Sequence, residues 1–203
     1  DVVGTEKNIE LITYDQSDQG ESSYKCSEKI TAIEHADGQS YWVLTQFVNK
    51  FYAFRVDETG VNPNPIVTTI EPLISFQGYR RNGIGYMKAS PNGEKIAVAH
   101  RQNGDESGGF SFNTGSVWLY DFDSATGELS NSINAYPNFG PYGVEFSPDS
   151  SKLYVTVDAS VIQVDVDAQD LVPFVVYNGF DFIGAIQLGP DGKIYVANSE
   201  DYN

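Results

Sequence analysis

The sequence predicts an all-β fold assembled from one repeated unit, and three observations predict it. A turn-and-strand string recurs as Ser90-Pro91-Asn92-Gly93-Glu94-Lys95-Ile96-Ala97-Val98, as Ser147-Pro148-Asp149-Ser150-Ser151-Lys152-Leu153-Tyr154-Val155 and as Gly189-Pro190-Asp191-Gly192-Lys193-Ile194-Tyr195-Val196. No stretch of ten or more residues carries a helical apolar period. Gly and Pro, 19 and 9 in number, punctuate the chain at short intervals.

Each copy has a physical cause. Ser, Pro and Gly at the first, second and fourth positions suit a type I turn, because Pro presets φ and Gly accepts a left-handed exit. A short apolar stretch precedes each turn (Tyr86 to Ala89, Val144 to Phe146, Ala185 to Leu188) and a β-branched or aromatic one follows, so each copy reads as a hairpin tip between a first and a second strand. A fainter copy is His35-Ala36-Asp37-Gly38, leading to Tyr41-Trp42-Val43-Leu44. Third strands recur at Phe51–Asp57, Val117–Asp123 and Val161–Asp167. Glu58-Thr59-Gly60 and Ala125-Thr126-Gly127 then turn two of them into a fourth.

Pro91, Pro148 and Pro190 lie 57 and 42 residues apart. That suits the roughly 40 to 50 residues of a four-stranded propeller blade with a long loop, and exceeds an ankyrin or leucine-rich repeat. An immunoglobulin-like sandwich has no reason to repeat one turn at such intervals. The expected architecture is a partial β-propeller with blades at roughly 28–75, 84–134, 142–177 and 184–203, the last incomplete, and 1–27 as the end of a preceding blade or a connector. Three clear copies and one faint one do not close a ring. The remaining blades are expected in further chain or in a partner, since open blade edges are avoided.

Ile84 to Gly93, Leu119 to Asp123, Tyr142 to Asp149 and Leu188 to Ala197 together resemble the YVTN and lactonase-like branch of β-propellers. They resemble more closely the propeller domains of secreted or surface proteins of Bacteroidetes exported by the type IX secretion system. The resemblance runs over about the whole chain. It implies an extracellular or outer-surface location and an association with gliding motility or surface attachment.

Composition narrows the partners. With 28 acids against 12 bases and a net charge of −16, nucleic acid and anionic membrane surfaces are repelled. A hydrophobic fraction of 40% supplies a core that disordered acidic chains lack. The longest apolar run, Val172 to Tyr177, is too short to span a bilayer and contains Pro173. The chain begins at Asp1 without a basic, apolar leader, so it is expected to be a processed product or a piece of a longer protein. Cys26 is a lone thiol without an internal disulfide partner.

If the Pro turns and the Thr-Gly turns share one face, the long loops fall on the other, where a rigid scaffold presents binding residues. Those loops are His100 to Gly115, Phe76 to Gly85, Ala135 to Tyr142 and Asn178 to Gly184. They offer Arg80, Arg81, His100, Arg101, Asp105, Glu106, Phe110, Phe112, Tyr136, Phe139, Tyr142, Phe180, Asp181 and Phe182 as ligand-binding candidates. Rings beside carboxylates and Arg suit a carbohydrate or a peptide, though the same rings also serve to cover blade edges. Lys88, Glu145 and Gln187 share one place in successive innermost strands, where they line the channel or pair between blades, Lys88 with Glu145. Asp121 with Asp123, and Asp165 with Asp167, are weak candidates for calcium, the one cofactor weighed. With only His35 and His100, no zinc site is expected.

Three functions remain open. The first is a non-catalytic extracellular module that binds glycan or protein through the long-loop face. The second is a lactonase-like hydrolase with a metal or carboxylates at the channel mouth, for which Asp105, Glu106, Asp158 and Asp181 are on hand. The third is a structural part of a surface or secretion assembly.

Overall fold

The structure is a computed structural model that describes residues 10–12, 17, 27–74, 83–102, 115–137 and 140–198. Among these there is no helix, and so none that is long and apolar enough to cross a membrane. Four antiparallel sheets follow one another along the chain. The first holds β1 (Ile30–Glu34), β2 (Tyr41–Phe47), β3 (Lys50–Asp57), β4 (Gly60–Val61) and β5 (Ile66–Thr69). Both β4 and β5 pair with β3, as two halves of one outer strand. Pro63 and Pro65 fall in the break between them, where an edge strand tolerates missing donors.

The second sheet holds β6 (Met87–Ala89), β7 (Lys95–His100), β8 (Ser116–Asp123) and β9 (Glu128–Pro137). The third holds β10 (Pro141–Phe146), β11 (Lys152–Val157), β12 (Ser160–Asp165) and β13 (Phe174–Asn178), and the fourth holds β14 (Ile183–Leu188) and β15 (Ile194–Asn198). The second sheet runs past the expected limit of 134 because Tyr136 and Pro137 still pair with Val117 and Ser116.

Alternating side chains pack neighbouring sheets face to face. Ile96 and Val98 of β7 join Ile33, Trp42, Leu44 and Phe51 of the first sheet in one buried cluster. Ala97 and Ala99, on the other side of β7, join Val144, Phe146, Leu153 and Val155 of the third sheet. The innermost strands β1, β6, β10 and β14 adjoin in that order, which is a radial arrangement of blades. A strand buried on both faces must be apolar through its middle, and β7 is apolar from Ile96 to Ala99.

The repeated turns share one geometry. Gly93, Ser150 and Gly192 each donate their N–H to the carbonyl three residues back, at 2.9, 2.9 and 3.0 Å, and Gly38 in the faint copy does the same at 2.9 Å. All four have positive φ, between 64° and 77°. These turns and the β8–β9 turn lie at one end of the sheets. Trp42 Nε1 donates to the Ser124 carbonyl at 2.9 Å, and the Asn92 N–H donates to Ser150 Oγ at 3.1 Å.

Candidate functional site

At the opposite end, the starts of the innermost strands are laced together. The Glu28 N–H donates to the Gly83 carbonyl at 3.2 Å, and the Gly85 N–H donates to Glu28 Oε1 at 2.7 Å. The Tyr86 N–H donates to the Tyr142 carbonyl at 3.0 Å, and the Arg101 N–H to the Ile84 carbonyl at 3.2 Å. Gly85 is required here: at φ 131° a Cβ would lie 2.0 Å from the Ala99 carbonyl oxygen.

This lacing gathers side chains from four sheets. The rings of Tyr86 and Tyr142 lie 5.2 Å apart, tilted by 52°. The Arg101 guanidinium carbon sits 5.2 Å from the centre of the Phe182 ring, within cation–π range. Glu28 and Phe182 are exposed, while Tyr86, Arg101 and Tyr142 are half-buried. Partial burial, then the charge of Glu28 and the neighbouring Tyr86, push the Tyr142 hydroxyl above its ordinary pKa against the pull of Arg101. Tyr142 therefore stays a neutral donor and acceptor. The mouth thus offers flat rings, one carboxylate and one guanidinium.

Beneath it lies a buried polar layer. The Ile30 to Thr45 pairing places Lys29 across from Gln46, and Thr45 Oγ1 donates to the Lys29 carbonyl at 3.0 Å. Lys29 is fully buried, its ammonium 3.3 Å from the Ile84 carbonyl, and burial pulls its pKa down to about 7 against the raising effect of Glu28. His100, with 0% exposure, ends β7 on the side of Ile96 and Val98. Burial, then the charge of Lys29, drive its pKa well below the ordinary imidazole value, so it is neutral. Neither of its ring nitrogens, nor Gln46 Oε1, has a hydrogen-bond partner among the described residues.

The loop assignments need correction. His100 is strand and core rather than loop, because β7 continues its pairing through His100 with Ser116. Tyr136 and Tyr142 also lie on strands, β9 and β10. Tyr136 packs against the core between the second and third sheets. Phe180 is 102% exposed, and Asp181 beside it is half-buried. Arg80, Arg81, Asp105, Glu106, Phe110, Phe112, Phe139 and Cys26 lie outside the described residues.

Of the channel trio, Lys88 and Glu145 come together, with Lys88 Nζ 3.0 Å from Glu145 Oε2. Gln187 does not join them: it is exposed and pairs in the ladder with Tyr195, and the Leu188 N–H reaches Glu145 instead.

The paired aspartates are committed elsewhere. Asp121 accepts from Lys95 Nζ and Asn131 Nδ2, both at 2.6 Å, and Asp123 caps its turn through the Ala125 N–H at 2.8 Å. Asp165 holds Lys152 Nζ at 2.5 Å and accepts the Asp167 N–H at 3.3 Å. Among the described residues, no three His, Cys, Asp or Glu are placed to share a metal ion. Asp121 and Asp165 thus each balance a lysine of their own sheet, while Asp123 accepts from the backbone of its own turn.

Glu28, Lys29, Gln46 and Tyr86 did not stand out in the sequence. One signal was available: Tyr86 stands four residues before Ser90, and Tyr142 five before Ser147. The extra residue is taken up by an irregularity in β10 between Pro141 and Val144.

The fold is that of a β-propeller. No protein-family profile matches the sequence, and no curated protein does either. Solved structures do match. A periplasmic gluconolactonase of Pseudomonas aeruginosa is similar at 18% identity and TM-score 0.51, over 84% of this chain and 49% of that one. An auxiliary nutrient binding protein of Bacteroides thetaiotaomicron is similar at 12% and 0.52, over 86% and 36%. A luciferin-regenerating enzyme is similar at 15% and 0.50, over 83% and 53%. At these identities the likeness is one of fold, and the chain spans roughly a third to a half of the neighbours' length.

Proposed function

We propose that this chain is a non-catalytic binding module of a secreted or surface-attached protein, and that its mouth binds a neutral glycan. The observation that supports this reading is the convergence of Tyr86, Tyr142 and Phe182 with Glu28 and Arg101 at one end of four sheets. Sugar rings present apolar C–H faces that stack on aromatic rings, while a carboxylate and a guanidinium orient hydroxyls. A net charge of −16 disfavours sulfated or uronate-rich polymers.

The resemblance to propellers exported by the type IX system supplies the setting, an extracellular or outer-surface location in a protein of attachment or motility. A saccharide array probed with the native protein and with Tyr142→Ala tests the reading. Neutral glycans captured by the native protein and lost from the variant support it. Release of a hydrolysed product from a captured saccharide or lactone favours the lactonase-like alternative. Equal capture by both proteins overturns the assignment of the mouth.

A further inference from the structure

The interface between the first and second blades changes character along its length. Trp42, Leu44 and Gln46 alternate on β2, and Ile96, Val98 and His100 on β7, and all six are buried. Both strands run from the turn end toward the mouth, so the two rows begin at Trp42 and Ile96 and finish at Gln46 and His100. The turn end is apolar: Trp42, Leu44, Ile96 and Val98 share one cluster. The mouth end is polar. Gln46 and His100 are both 0% exposed, and Lys29 is buried near enough for its charge to act on the imidazole.

The repeat does not demand polar atoms there. Lys95 and Lys152 close equivalent turns by accepting the Ser90 and Ser147 N–H at 2.9 Å; five residues on from them stand His100 and Val157, and Val157 packs in an apolar core. His100 instead brings two ring nitrogens into the interior. Gln46 Nε2 donates to the Val48 carbonyl at 2.6 Å, which leaves Gln46 Oε1 and both nitrogens of His100 without a partner among the described residues. Buried polar atoms are paired in nearly every folded protein, with other protein groups or with ordered water. These three atoms define the chemistry of the partner. A neutral imidazole offers one N–H and one bare nitrogen, and an amide oxygen only accepts, so the partner must both donate and accept. An anion cannot donate to Gln46 Oε1, and a metal ion would stand beside the Lys29 ammonium. Water meets both demands. The two nitrogens of an imidazole point away from one another, so a single water cannot serve both.

We propose that the mouth end of this interface is a built site for a pair of ordered water molecules. One bridges Gln46 Oε1 to a ring nitrogen of His100, and the other pairs with the second ring nitrogen. His100 is followed by Arg101, whose N–H shares the Ile84 carbonyl with Lys29 Nζ, at 3.2 and 3.3 Å. The water pair therefore anchors the strand end that carries the guanidinium of the mouth.

Two NMR measurements test the site. In the native protein, NOEs from water should reach the His100 ring proton Hε1 and the Gln46 side-chain amide. Oxygen-17 relaxation dispersion of the solvent, which counts waters held inside a protein, should show about two fewer in the double variant Gln46→Leu/His100→Val. That variant removes all three orphan atoms together and gives β7 the residue that β11 already carries, so the fold is expected to survive, as the amide spectrum of the third blade will show. Should it fail to fold, the NOEs on the native protein decide alone. Absence of water NOEs at His100, an unchanged water count in the folded variant, or a through-bond coupling from a His100 ring nitrogen to a protein donor or acceptor each overturns the site.

Discussion

Lys88 Nζ lies 3.0 Å from Glu145 Oε2, joining the innermost strands of the second and third blades. The Glu145 side chain is only 7% exposed and also accepts the Leu188 N–H of the fourth blade at 3.0 Å and the Phe146 N–H at 3.1 Å. One carboxylate thus ties three blades together near the axis. Removing either charge leaves the other poorly solvated, the costly direction for a buried pair.

Glu145→Ala is expected to be the most damaging single change in this ladder, at about 3 kcal/mol or more, because it frees the Lys88 ammonium and the Leu188 N–H together. Lys88→Ala should cost less, about 1–3 kcal/mol, since the Lys88 side chain is 25% exposed and a partly solvated pair is weaker. Urea unfolding midpoints with unchanged slope measure both. An equal or reversed order contradicts the three-blade role of Glu145.

Stability should rise with pH above neutrality. Burial holds Lys29 at about 7 in the fold, far below its ordinary lysine value, so the unfolded chain binds the extra proton across the window between them. The stability this group contributes is complete above about 10.5 and is lost as pH falls toward about 7. His100 is lowered too, so it subtracts further stability below about 6.5. Tyr120 acts in the opposite sense. Burial raises its hydroxyl, so stability falls once the unfolded tyrosine ionises above about 10. Thermal midpoints should therefore peak on the alkaline side, near pH 9 to 10, and Lys29→Met should flatten the rise. A peak at or below pH 7 contradicts this.

Ser150 holds a left-handed φ of 64° where two other copies have Gly, and its Oγ accepts the Asn92 N–H of the neighbouring blade at 3.1 Å. Backbone strain of about 1–2 kcal/mol is set against a hydrogen bond worth about 1. Ser150→Gly should therefore leave stability within about 1 kcal/mol of the original. Ser150→Ala, which keeps the strain and loses the bond, should cost about 1 kcal/mol. Denaturation of the two variants side by side checks the difference.

Gly85→Ala should open the mouth. Its Cβ would meet the Ala99 carbonyl at 2.0 Å at a φ of 131°, so the β6 entrance must shift, at a cost of about 2–4 kcal/mol. The ring contact between Tyr86 and Tyr142 should loosen with it. The aromatic region of the NMR spectrum reads that change directly.

The blades were legible because Ser-Pro-Asn-Gly and its relatives encode a local turn, and a local turn needs no knowledge of the rest of the chain. The pairing of Lys88 with Glu145 was legible for the same reason, since equal offsets from two turns place residues at equal depth. His100 was misread because its burial is imposed by the first blade, whose strands β1 to β3 end 43 or more residues before it in the sequence. Asp121 and Asp165 stood only as weak calcium candidates when read along one strand. Across the ladder each faces a lysine, Lys95 or Lys152, that belongs to the same repeat.

The most direct test of the binding role is calorimetric titration with a neutral saccharide captured on the array, using the native protein, Tyr142→Ala, Arg101→Ala and a turn-face control, Asp123→Asn. The proposed mouth predicts that the first two substitutions each weaken binding at least about tenfold, the loss of one good stacking or charge-assisted contact, while the control binds as the native protein does. Binding that Tyr142→Ala and Arg101→Ala leave unchanged, or that Asp123→Asn abolishes, would place the ligand elsewhere on the propeller and contradict the account.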